Sequence, residues 1–260
     1  MTTTHGTFPF GQQVNELKQE NTAPKAVFVL GVYASAVHAR WKNPKGQVVV
    51  SALAVASEPY IFWRGEGAAE IIAKISVPDG VGKLVPASSQ LNGPSGRSLD
   101  ESYLAPLGLK REQAWLCDMV PHSCQNAGQA KAIREKYVPL INTHGLPEVT
   151  VPSVPKQLCS DTRRAAILAE LKESKAEKII LLGDEPISWF LQSFDKRYAR
   201  LRNFGDTPDT YGREHTVSIA GKDYQVLPLV HPRQAAKLGA HSSEWYGLHQ
   251  AWLARMSREK

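Results

Sequence analysis

Two polar residues sit where apolar runs end, and both are of types that do chemistry. Residues 226–230 (VLPLV) read as a buried strand, which His231-Pro232 breaks, because proline has no N–H for a ladder and fixes its own φ. The run 114–120 (AWLCDMV) reads the same way, carries Asp118 two residues before its end and is closed by Pro121. An imidazole at the carboxyl end of a strand can donate a hydrogen bond to negative charge building up on a reacting oxygen. A carboxylate there accepts hydrogen bonds and donates none. In open α/β sheets that edge is where ligands bind. Each residue has a plainer reading: His231 as a loop histidine satisfying a neighbouring carbonyl, and Asp118 as a strand-end acid capping the next turn near His122. A third reading pairs His231 with Asp184 or Glu185 in an α/β hydrolase, but the chain has no G-x-S-x-G nucleophile elbow to complete it.

The elements that must position these residues follow from apolar patterning. Buried strands start near Ala26, Ala114, Lys178 and Tyr224, and helical patterns alternate with them. Residues 31–35 (GVYAS) read as a turn, and residues 48–56 as a strand in a hairpin through Asn43-Pro44-Lys45-Gly46. Helices are expected over 68–75, from a cap at Ser98 or Asp100 to about Leu107, over 129–138, and after a cap at Asp161. Gly183 opens another. After Ser242 and Ser243, Trp245, Leu248, Trp252, Leu253 and Met256 recur at helical spacing. The whole predicts an α/β chain: a three-layer α/β/α sandwich around a central four-stranded parallel sheet. Residues 1–24, rich in Thr, Gln, Asn and Gly, read as a flexible arm, and 25–260 as a single domain.

Composition narrows the class. Thirty-one Lys+Arg against 25 Asp+Glu leave a net charge of +6, which suits a polyanionic partner. Cys117, Cys124 and Cys159 are too few for a disulfide framework or a four-thiolate site, so a reducing, cytoplasmic setting is expected. The apolar stretch 48–56 is too short to span a membrane.

The order strand, His231-Pro232, polar loop, Gly239, His241-Ser242, helix resembles the last motif of the uracil-DNA glycosylase superfamily. Residues 90–100 (QLNGPSGRSLD), then 108–112 (GLKRE) and the strand at Trp115, resemble that superfamily's iron–sulfur branch, which reads roughly G-P-x-x-G-x-x-G-x-x-L-D, a helix, G-L, and a strand ending T-N. The resemblance implies that His231 lies beside the leaving base, and that Ser95, Arg97, Arg233 and Gln234 touch phosphates or fill the gap in the base stack. Arg233 stands where the superfamily has a serine.

The departures from the pattern carry their own implications. Cys124 falls where one cluster cysteine would, but Tyr137 falls near another and there is no N-terminal pair, so no iron–sulfur cluster and no other cofactor is expected. The turn after the first strand, Gly31 to Ser35, lacks the Asp, Asn or Glu that handles water in relatives. Tyr33 there either packs or lies against a flipped base, and Glu58 and His38 are the nearest groups that could handle water, with plain structural roles equally open to them. Leu91 stands where the branch has a base-stacking Phe. Asp118 stands where relatives use an asparagine to read uracil. Its ionised carboxylate would face uracil O4 with no proton between, at roughly 1–3 kcal/mol. Cytosine N4 would instead donate to it, a charge-assisted bond worth about 1.5–3 kcal/mol. The expected function is a monomeric, DNA-binding glycosylase acting on a cytosine-type or modified cytosine base, with no membrane or obligate protein partner. A uracil-DNA glycosylase and a glycosylase-fold DNA-binding protein without catalysis are the alternatives.

Overall fold

The computed structural model describes residues 4–238 and 241–259; Gly239 and the first three residues of the expected arm lie outside them. Among the described residues ten strands run in chain order: β1 (Thr4–Thr7), β2 (Gln13–Asn15), β3 (Val27–Tyr33), β4 (Ala36–Lys42), β5 (Val48–Ser57), β6 (Lys83–Pro86), β7 (Ala114–Val120), β8 (Lys178–Leu182), β9 (His215–Ile219) and β10 (Lys222–Leu229). Where one domain was expected, the chain divides into two compact units: Met1–Leu17, Tyr33–Arg97 and Pro121–Lys156 in the first, and Lys18–Val32, Ser98–Val120 and Gln157–Lys260 in the second.

The second unit is built on a sheet of order β7-β3-β8-β10-β9. β3, β8 and β10 run parallel, with Leu30 beside Leu181 and Leu229 beside Leu182. Their central residues are buried on both faces, which is why each reads as a continuous apolar run. β7 neighbours β3, and the Ala26 N–H donates to the Gln113 carbonyl at 2.8 Å where the two strands begin. β9 returns antiparallel to β10 through Ala220 and Gly221, both at positive φ (51° and 83°), the backbone of a tight hairpin turn. The sheet is therefore mixed and five-stranded, which corrects the expectation of four parallel strands. The helix Asp161–Ser174 is capped by Ser160, not Asp161: the Ser160 hydroxyl accepts from the Arg163 N–H at 3.2 Å. Trp245, Leu248, His249 and Trp252 form the buried face of Ser242–Arg258, where His241, and not an expected serine, stands at the N-cap.

The first unit holds the sheet β5-β4-β6 and the hairpin β1-β2. β3 runs on to Tyr33 and β4 starts at Ala36, so the turn expected over 31–35 shrinks to Ala34 and Ser35. In β4, Val37, Ala39 and Trp41 are buried while His38, Arg40 and Lys42 are half-buried, the alternation of a strand with one covered face. Phe10 packs edge-on against Trp41 and Tyr137, at 5.6 and 5.2 Å between ring centres. The Tyr137 hydroxyl accepts from the Phe10 N–H (2.9 Å) and donates to the Pro147 carbonyl (3.0 Å). The helix expected from Ser98 or Asp100 starts earlier, at Pro94, whose missing N–H falls in a first turn that needs none. Among the described residues no helix is long and apolar enough to cross a membrane.

The stretch expected as a loose arm is ordered over its described part. β1 pairs with β2, and Phe8 and Val14, both fully buried, pack with Ala36. Phe8→Ala should therefore destabilise the protein by about 3–5 kcal/mol, the usual range for emptying a buried aromatic site. The urea midpoint reads this directly; an arm without packing would leave it unchanged.

Candidate active site

The second unit brings Gly31 and His231 to the carboxyl edge of its sheet. Leu30 pairs with Leu181, so Gly31 stands beside Leu182, on whose other side is Leu229. His231 follows two residues later. Its ring is held closely. Gly183 has φ 91°, and a Cβ there would lie 3.0 Å from that of His231, so glycine leaves the space the histidine occupies. The Gly183 N–H donates to the Leu229 carbonyl at 2.7 Å. His231 also caps the short helix Pro232–Ala235: its Nδ1 accepts from the Arg233 N–H at 3.2 Å. A ring nitrogen that accepts carries no proton, so the neutral imidazole has its hydrogen on Nε2. Burial and the Arg233 charge push the His231 pKa down to about 4, which keeps the ring neutral at physiological pH. The result is a single N–H donor of fixed tautomer.

The two acids that a hydrolase reading would pair with this histidine bond other groups. Asp184 Oδ1 accepts from the Leu201 N–H (2.7 Å), and Glu185 Oε2 from Trp189 Nε1 (3.0 Å). Arg233 is exposed and Gln234 half-buried, both on the short helix that starts after His231.

Asp118 lies within β7 and is 4% exposed. Counting five residues along each chain from the bond between Gln113 and Ala26 reaches Asp118 and Gly31. Arg163, a residue with no local sequence signal, braces the strand. It donates to the Asp118 carbonyl from Nη2 (2.7 Å) and to Cys117 Sγ (3.1 Å), and from Nη1 to Glu170 (2.9 Å). Glu170 in turn accepts from Trp115 Nε1 at 3.1 Å. Successive strand residues point to opposite faces, so Arg163 on the side of Trp115 and Cys117 leaves the Asp118 carboxyl on the other. Burial raises the Asp118 pKa to about 7, with Arg163 pulling it down and Glu170 pushing it up.

Three buried residues that sequence patterning missed also belong to this unit. Tyr103 and Tyr211 are hydrogen-bonded to the peptide groups of Val230, next to His231, and His249 is hydrogen-bonded to Tyr211. Tyr211 comes from a stretch that reads as a polar loop, and nothing in its local sequence marks it.

The remaining expected site residues belong to the first unit. Asn92 pairs with the backbone of His38: its Oδ1 accepts from the His38 N–H (2.8 Å) and its Nδ2 donates to the His38 carbonyl (3.0 Å). Burial lowers the His38 pKa, and Nδ1 is a buried nitrogen with no hydrogen-bond partner among the described residues. Glu58, buried, accepts from the Ser35 N–H at 3.1 Å and so braces the turn between β3 and β4. Tyr33 and Leu91 are exposed, at 37% and 43%, and Ser95 is half-buried. Arg97, expected at a phosphate, instead donates to the carbonyls of Arg64, Asn92 (2.9 Å) and Ser89 (2.5 Å). Gly93, at φ 71°, lets this loop lie against Arg64, whose carbonyl carbon would be 1.9 Å from any Cβ. A cleft of about 320 Å³ opens here, lined by Ala68, Glu70, Pro86, Ala87, Asn92 and Arg97. Among the described residues no group of three or more His, Cys, Asp or Glu side chains could hold a metal ion.

The raised Asp118 pKa has a consequence for stability. Between its ordinary 3.8 and about 7, the folded chain keeps a proton that the unfolded chain has lost. Stability therefore falls as pH rises through that window, by on the order of 4 kcal/mol at 1.36 kcal/mol per unit. Asp118→Asn, which cannot ionise, should melt well above the wild type at pH 8, and the gap should close towards pH 4.5 in calorimetry run across that range. No protein-family model matches the chain, and no curated protein matches it at a significant level.

Proposed function

We propose that the protein is a DNA glycosylase that flips a pyrimidine out of the helix and hydrolyses its N-glycosidic bond, leaving an abasic site. The observation that carries this reading is His231: a neutral imidazole with one proton, on Nε2, at the carboxyl end of a buried parallel strand. When the C–N bond breaks, its electron pair goes to the base and negative charge grows on O2, while the sugar becomes an oxocarbenium ion. Nε2–H can donate to that oxygen without surrendering its proton, which is how a preorganised donor lowers the barrier. Water then adds to the sugar carbon, and the proton it releases balances the charge on the departing base. The four buried runs lie side by side in one sheet, which supports the three-layer arrangement of the superfamily that the motifs resemble. β7 and β10 stand three strand spacings apart, about 14 Å, room for a base between residues on them. The exposed Arg233 and the net charge of +6 suit a DNA backbone.

The base is of cytosine type, including a cytosine modified at C5, because the Asp118 carboxylate accepts from the N4 amine. Below its pKa the same group carries a proton and offers one donor and one acceptor, as an asparagine amide does, and that pattern fits uracil.

Duplexes that differ only in the target base, followed by alkali to cut abasic sites, test the reaction. Release of a cytosine-type base is expected, and duplexes that are bound but never cut would leave a DNA-binding protein instead. His231→Ala should slow release by about 10²–10³, the scale for losing one aimed donor, with DNA affinity retained. The rate ratio of cytosine-type to uracil substrates should climb between pH 6 and 8 as Asp118 ionises. In Asp118→Asn it should favour uracil and stay flat with pH. A ratio in the wild type that ignores pH would remove Asp118 from base recognition.

A further inference from the structure

The backbone just before His231 is held by a buried chain of polar groups that the reaction above does not use. Val230 follows β10 and is fully buried. Its N–H donates to the Tyr211 hydroxyl at 3.0 Å, and its carbonyl accepts from the Tyr103 hydroxyl at 2.8 Å. These groups belong to different peptide planes, the first shared with Leu229 and the second with His231. Holding both planes fixes φ and ψ at Val230, and so the direction in which His231 leaves the strand.

The proton positions along this chain follow from its first bond. Because the Tyr211 oxygen receives the Val230 N–H, its own proton is free for His249 Nδ1, at 2.9 Å. His249 Nδ1 then accepts, its proton lies on Nε2, and that nitrogen donates to the Ser102 carbonyl at 3.1 Å. Tyr103, Tyr211 and His249 are each no more than 1% exposed, so water cannot stand in for a missing member. Burial pushes both phenols up and His249 down to about 4, so all three stay neutral and the donors match the acceptors. His249 also lies 4.7 Å from the Tyr103 ring and stacks on Trp252 at 5.2 Å, which locks its rotamer.

We infer that Tyr103, Tyr211 and His249 are positioning residues for His231: they set the backbone from which its Nε2–H is aimed at the leaving base. The inference rests on the glycosylase reading for what His231 does, but not for where it points. A purely structural role would need the same bonds only to satisfy a buried peptide, and its loss would lower stability without changing the imidazole.

The test uses the full chain with Tyr211→Phe, Tyr103→Phe and His249→Gln, each confirmed as folded by its melting curve. Nitrogen-15 NMR of the His231 ring reads tautomer and pKa without any substrate. Single-turnover base release and duplex affinity separate rate from binding. Tyr211→Phe is expected to slow release by about ten- to a hundredfold, the scale of a misplaced reacting group, with DNA affinity within about twofold. The His231 signals should shift towards mixed tautomers and a higher pKa. Gln at position 249 offers a neutral acceptor and donor and should stay near the wild type. Tyr103→Phe removes one hydroxyl from the other peptide plane, so it gives the same readout should Tyr211→Phe fail to fold. Unaltered His231 signals and rates in a folded phenylalanine variant would overturn the inference. A wild type that releases no base would sink the glycosylase reading alone, because the NMR comparison still decides what sets the His231 ring.

Discussion

A peptide group buried away from water has to be hydrogen-bonded, and the placement of His231 depends on how that demand is met at Val230. A strand interior would use neighbouring strands. At the end of β10 the ladder stops, and two tyrosine hydroxyls take its place. They come from distant parts of the sequence, Tyr103 from the helical segment Asp100–Leu104 and Tyr211 from the segment leading into β9. The local folding of two segments therefore converges on one residue of backbone. Gly183 closes the same position from β8, where any larger residue would press on the His231 side chain.

Asp118 obeys the opposite logic. Where Val230 has every polar group satisfied, the Asp118 carboxyl lies in a fully buried strand, and Arg163, whose charge acts on it, is committed to carbonyl, thiol and Glu170 partners. A leucine or asparagine in this position would make the second unit more stable at neutral pH. Retaining a carboxyl group there lowers stability, and perturbed acids of this kind cluster where chemistry or recognition needs them.

How much was legible in the sequence follows from which residues are buried and on how many sides. β3, β8 and the second half of β10 announced themselves because both faces are covered and the run is apolar, and β7 did so with Asp118 as its one ionisable residue. That same purity made Asp118 and His231 conspicuous. β4 escaped notice because one face is half-open and admits His38, Arg40 and Lys42; His38 then looked like a candidate for chemistry when it is a strand residue paired through its backbone to Asn92. β1 and β2 were hidden by the polar residues around Phe8 and Val14. Arg97 had the right type for phosphate and the wrong surroundings, since three loop carbonyls lie within reach of its guanidinium. The chain from Ser102 to Tyr103 could not be read at all, because its members are scattered from 102 to 249 and no local pattern marks the bonds between them.

The electrostatics of the second unit's sheet edge narrow what could bind there. Burial drives the two titratable groups in opposite senses: it removes charge from His231 and delays charge on Asp118. At pH 7 the first is neutral, and the second has its pKa raised to about that pH. A phosphate or carboxylate ligand would meet no cation in this pair and, on Asp118, a repelling charge. A ligand that is neutral overall but carries a donor at one end and an incipient acceptor at the other meets complementary groups at both. A pyrimidine has that layout, with the amine of cytosine opposite the oxygen beside its glycosidic bond. The exposed Arg233, by contrast, sits just beyond the histidine, so the anionic part of a nucleotide would have its partner outside that pair, on the short helix that His231 itself caps.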